Sequence, residues 1–127
     1  MIEERLFAHL TRDSALAALV GKRIYPLALP QNPTLPAITY QRISTQMVLD
    51  RDNAHLQRPR FQFDCYDRRS IQAWRLADAL EEALATLRGE GDPRIDVTLL
   101  ESRNDLFDPD TELHRVSIDA FIWFEKG

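Results

Sequence analysis

The residues of this chain that could do chemistry are few and far apart. Its three histidines, His9, His55 and His114, fall in a helical stretch, a polar loop and a strand-like run. Zinc centres need ligands at short paired spacings, and neither the histidines nor Cys65 offers them. Cys65 is the one cysteine, so no intrachain disulfide is available, as expected of a protein made in a reducing compartment. Phe63 and Tyr66 place it in a strand, where a lone cysteine behaves as a small apolar side chain. A nucleophilic thiolate needs a base or cation beside it; Arg68 and Arg69 are near in sequence, but no histidine is. The acidic run Asn104-Asp105-Leu106-Phe107-Asp108-Pro109-Asp110-Thr111-Glu112 has oxygen donors for a hard cation. It lacks the central glycine of a calcium loop, however, and Pro109 stiffens its middle. A solvated Asp-Pro-Asp turn is the expected structure. Phosphate cradles need clustered glycines ahead of a helix, whereas Gly89 and Gly91 follow one, among only four glycines in all. There is no Gly-x-Ser-x-Gly elbow either. No catalytic, cofactor-binding or metal-ligating residue is therefore expected, and no enzymatic activity.

The elements that would position these residues are legible. Residues 2–10 carry Ile2, Leu6, Phe7 and Leu10 at helical spacing. Asp13 is placed to cap a second short helix holding Leu16, Leu19 and Val20, with Gly21 as its stop. Arg23-Ile24-Tyr25 reads as a short extended piece. Pro26, Pro30, Pro33 and Pro36 then forbid a helix and make the intervening stretch a surface loop. A strand is predicted over residues 37–49 and a second over 60–66, where Phe61, Phe63 and Cys65 alternate with Gln62, Asp64 and Tyr66. Asp50-Arg51-Asp52-Asn53 would join them as a long antiparallel hairpin. Residues 70–87 form the clearest helix, capped by Ser70 and ended by Gly89 and Gly91. Its apolar stripe is Ala73, Leu76, Ala77, Leu80, Ala83, Leu84 and Leu87, with Arg75, Asp78 and Glu82 opposite. Residues 95–100 are expected as a strand with Ile95, Val97 and Leu99 on one face. Residues 104–111 read as a loop and 113–124 as the last strand. This order predicts an α+β fold: a mostly antiparallel sheet of about four long strands packed by two or three helices, with a long hairpin and a Pro-rich loop.

The sequence has 127 residues, 44% hydrophobic and 28% charged, which suits one domain spanning 1–127. No run of about 18 apolar residues could cross a membrane, and Met1-Ile2-Glu3-Glu4-Arg5 does not open like a signal peptide. The net charge is −4 and the isoelectric point about 5.3. Nucleic-acid binders present basic patches, but Arg58-Pro59-Arg60 and Arg68-Arg69 are short and lie beside Asp64 and Asp67.

One set of residues says more than a fold. Ala18-Leu19-Val20-Gly21-Lys22-Arg23-Ile24-Tyr25-Pro26, then Pro30-Gln31, then Leu35-Pro36-Ala37-Ile38-Thr39-Tyr40 resembles the opening of the tail completion proteins of long-tailed bacteriophages, also called tail terminator or head–tail joining subunits. The likeness continues through Phe61-Gln62-Phe63-Asp64-Cys65-Tyr66 and the helix holding Ala77 and Leu84. The resemblance implies a virion protein at the tail end, assembled in the bacterial host cytoplasm. It implies a homo-oligomeric ring, typically hexameric, that caps the tail tube protein, ends its polymerisation and meets head-connector proteins. No cofactor, no membrane and no specific nucleic-acid binding are implied, although DNA would pass through the lumen.

Exposed apolar side chains near element ends are costly in water and mark contact surfaces. Met47, Val48 and Leu49 at the hairpin, and Leu106 and Phe107 in the 104–111 loop, are candidates for contact with other copies or partners, against the alternative that they fold back on their own sheet. Trp74 falls off the helix stripe, so it either wraps onto the sheet or anchors a neighbour. Two other classes compete with the ring subunit. One is a small cytosolic ligand-binding or enzyme-like α+β domain. The other is a nucleic-acid-binding module using Arg58, Arg60, Arg68 and Arg69.

Overall fold

Ile2, Leu6 and Leu10 recur every four residues, so one helix face is apolar, and all three are buried in α1 (Ile2–Arg12). The computed structural model describes residues 1–47 and 56–125. Asp13 breaks the helix in extended conformation, and its side chain accepts the Leu16 N–H at 3.0 Å, capping α2 (Ser14–Val20). Gly21 then takes φ +57°, a left-handed conformation that costs a glycine little. It turns the chain into β1 (Ile24–Pro26).

After the Pro-rich loop, β2 (Ala37–Met47) runs parallel to β1, and β3 (Leu56–Asp67) returns antiparallel to β2. The predicted hairpin is thus present. Val48, Leu49, the Asp50–Asn53 turn and His55 lie outside the described residues, as does the Met47 side chain. Helix α3 (Ser70–Ala85) follows, then β4 (Ile95–Asp108) and β5 (Leu113–Glu125) as a second hairpin. The sheet order is β1-β2-β3-β5-β4, so the two hairpins join through β3 and β5, and the last strand in sequence lies inside the sheet. The α+β expectation holds, with one addition: the short extended piece at residue 24 is a fifth strand and makes the parallel pair.

Helix α3 packs on β3, β5 and β4, and α1 and α2 pack against α3 and each other. The predicted stripe from Ala73 to Leu87 is buried throughout. It meets Phe61, Phe63 and Cys65 of β3 and Val116, Ile118, Ala120, Ile122 and Phe124 of β5, the alternate residues of one sheet face. Among the described residues no helix covers the opposite face.

Several local expectations are corrected. Ser70 is the first helical residue and not the cap; the cap position is Arg69, whose N–H donates to the Asp67 carboxylate at 2.9 Å. The helix stops at Ala85, before the glycines. There Thr86 donates its hydroxyl to the Ala83 carbonyl at 2.8 Å, and Leu87 turns into the core. Gly89 instead bridges Ile95 through two backbone hydrogen bonds. Arg5 reaches across from α1 and donates to the Gly89 and Pro93 carbonyls, tying this loop down. A side chain on Gly91 would meet that guanidinium at 2.7 Å.

Strand β3 begins four residues earlier than its alternation indicated, because Gln57 and Pro59 already point into the core. The larger error concerns β4. It continues to Asp108, so Asn104 through Asp108 are strand, and only residues 109–112 turn. Two register shifts, between Ile95 and Val97 and between Leu100 and Ser102, hide the alternation. The first shift also places Ile95 with Phe124 on the core face, while Val97 and Leu99 pair with Trp123 and Phe121 on the open one.

Candidate assembly surfaces

The chemistry-bearing residues do not converge. His9 Nε2 donates to the Ala83 carbonyl at 2.8 Å, joining α1 to α3. His114 lies at the far end of β5, its ring 4.8 Å from that of Phe107. Among the described residues no three His, Cys, Asp or Glu side chains gather as metal ligands. Asp108 is committed to its turn: one carboxylate oxygen accepts the Asp110 N–H and the other the Thr111 hydroxyl, both at 2.9 Å. The Asp110 N–H holds its carboxyl below the usual range.

Cys65 is fully buried, and burial pushes its thiol up from an ordinary value of 9.0. The sign of the resulting pH dependence follows. Below pH 9 both folded and unfolded chains carry the thiol, and its contribution to stability is fully present. Above pH 9 only the unfolded chain ionises, so stability falls as pH rises. The expected slope is at most about 1.4 kcal/mol per pH unit. Urea titrations at pH 8 and pH 10 on wild type and Cys65→Ala check it: the variant should lack that share of the loss.

The arginines proposed as a nucleic-acid patch are divided. Arg58 and Arg60 sit near the start of β3, whereas Arg68 and Arg69 follow its end, roughly 25 Å further along at 3.3 Å per residue. Arg58 lies on the open face against the rings of Phe121 and Trp123, at 4.6 and 5.2 Å. They do not form one basic surface.

What the structure does present is exposed apolar surface in definite places. Leu99, Leu100, Leu106 and Phe107 are exposed along β4, and Ile71 and Trp74 on the neighbouring face of α3. Trp74, Leu106 and Phe107, singled out separately in the sequence, line one shallow concavity with His114, and Trp74 remains 44% exposed. Arg103 holds its two walls together. It donates to Asp78 at 2.6 Å and Glu81 at 3.0 Å, both on α3, and the Asp78 bond raises its pKa further. Ile43 and Leu27 are exposed at the opposite side of the sheet, by β2 and the end of β1. The sequence does not single out Leu99, Leu100, Ile43 or Leu27 as contact residues; Leu99 is expected only on one face of its strand with Ile95 and Val97.

The mostly antiparallel sheet thus has helices on one face, no helix on the other among the described residues, and exposed apolar side chains at its edges. A family model described as tail completion protein gp17 matches residues 4–125, and the chain belongs to that family of virion structural proteins. No curated protein matches it in sequence. Among solved structures, a chain of the "Virion of native gene transfer agent (GTA) particle" is similar with a TM-score of 0.81 at 17% identity, covering 94% of this chain and 91% of that one. At that identity the likeness concerns the fold.

Proposed function

We propose that this protein forms a homo-oligomeric ring, hexameric as is usual for such subunits, that caps the tail tube, ends its polymerisation and offers the surface to which head-connector proteins join. Its place is then the tail end of the virion, reached by assembly in the bacterial host cytoplasm. The observation that carries the reading is the tail completion family match over residues 4–125. The distribution of exposed apolar side chains supports it: they gather at the sheet edges and the Trp74–Phe107 concavity, where contact with other chains would remove them from water. Residues 1–127 act as one domain in this role, and the work is done by surfaces, without catalysis or cofactor.

The test is to add purified protein to tail tubes growing in vitro. Tubes should stop lengthening, carry a ring at one end by negative-stain imaging and become competent to join filled heads. Tubes that keep growing, with the protein left in the supernatant after sedimentation, overturn the reading.

A further inference from the structure

The two lateral edges of the sheet are both incomplete, in different ways. On one side β4 is the outermost strand. Gly89 covers its start at Ile95, and from Leu99 to its end at Asp108 no strand pairs with its outer side among the described residues. On the other side β1 covers only Ile38 to Tyr40, so β2 from Gln41 to Met47 lacks an outer partner among the described residues. Unpaired strand edges are templates for pairing with another chain.

The edges match in height and apolarity, and their charges do not oppose. Following the register across the sheet, Arg42 pairs with Phe61, Phe61 with Ala120 and Ala120 with Leu100. In the next row, Ser44 pairs with Arg60, Arg60 with Phe121 and Phe121 with Leu99. Ile43, exposed in the bulge between those rows, is therefore level with Leu99 and Leu100 at the far edge. Strand β4 carries Asp96, Glu101, Asp105 and Asp108 against Arg103, and Arg103 is already occupied by Asp78 and Glu81. Glu101 and Asp105 have no ion-pair partner among the described residues. Strands β1 and β2 carry no carboxylate and the single cation Arg42, which is itself paired with Glu3 of α1 at 2.9 Å. The β2 edge is therefore close to neutral and sets no like charge against Glu101 and Asp105.

We infer that the outer edge of β4 in one copy pairs antiparallel with the uncovered edge of β2 in the next, setting Leu99 and Leu100 against Ile43 and continuing one sheet from subunit to subunit. The strand directions agree, because β4 runs opposite to β2 within a copy and so also opposite to the β2 of a copy related by rotation about an axis along the strands. Two different edges make the contact heterologous, and heterologous contacts close into rings when no axial step accumulates. The level placement of Ile43 and Leu99–Leu100 supplies that condition. The pairing rests on the ring reading above and names its contact.

The experiment uses Ile43→Asp and Leu100→Asp, each checked for an unchanged thermal melt, with mass read by native mass spectrometry. Each variant alone should run as a 14.7 kDa monomer. Mixed in equal amounts, they should yield a heterodimer and nothing larger, since one intact β4 edge meets one intact β2 edge. Ile43→Lys, brought near Glu101 of the neighbour, should keep the ring that Ile43→Asp loses. A wild-type ring that either aspartate variant leaves intact, or a mixture that stays monomeric, overturns the edge pairing while the ring stands. A wild-type chain that is monomeric at every concentration and on tail tubes overturns the ring itself, and the pairing with it.

Discussion

Phe63→Ala is expected to cost about 3–5 kcal/mol of folding stability, a large share of what a domain of this size possesses. Phe63 has no exposed surface, and its ring lies 6.2 Å from that of Phe61. It is flanked in the sheet by Tyr40 of β2 and Ile118 of β5, at the seam that joins the two hairpins. Truncation there removes a large side chain where strands on both sides and α3 above prevent collapse into the void. Urea unfolding should show the midpoint fall with the slope unchanged. A loss under about 1 kcal/mol, the cost of a well-tolerated swap, would show that the site can close over the gap.

The second large effect concerns contact and not folding. Trp74→Asp combined with Phe107→Asp should cost little folding stability, because the side chains are 44% and 52% exposed and lie outside the buried core. Attachment to tail tubes should nonetheless fall by a factor of about 30 or more, the equivalent of losing one aromatic anchor worth about 2 kcal/mol. Co-sedimentation of the variant with tubes reads the effect. Binding equal to wild type would remove the Trp74–Phe107 concavity from the proposed contact surface, while the edge pairing would keep its own test.

Helix positions were the most legible part of this sequence. The stripe from Ala73 to Leu87 and the Asp13 cap are local signals, complete within a few turns of chain, and the structure reproduces both. What escaped was set by partners distant in sequence. Strand β4 reads as ending at Leu100 because its remaining residues are mostly polar and its register slips twice; pairing with β5 carries it eight residues further. The same pairing converts Leu106 and Phe107 from loop residues to strand residues and brings them beside Trp74. No spacing rule connects residue 74 with residue 107, so their shared concavity was not visible even though each had been noticed. The helix end was misplaced because Gly89 and Gly91 are strong stop signals, yet Thr86 closes the turn first and the glycines serve the bridge to Ile95 and the close approach of Arg5.

The interior place of β5 governs how this protein is made. Its two neighbours, β3 and β4, are synthesised first, and neither can complete its pairing until residues 113–125 have left the ribosome. Until then the apolar faces of β3 and α3 lack the strand that closes the core. The two halves of the sheet therefore join last, through a pairing of strands distant in sequence, which slows folding. A nascent chain stopped short of β5 would hold β1, β2 and β3 as a partial sheet, with the inner edge of β3 left open where β5 belongs.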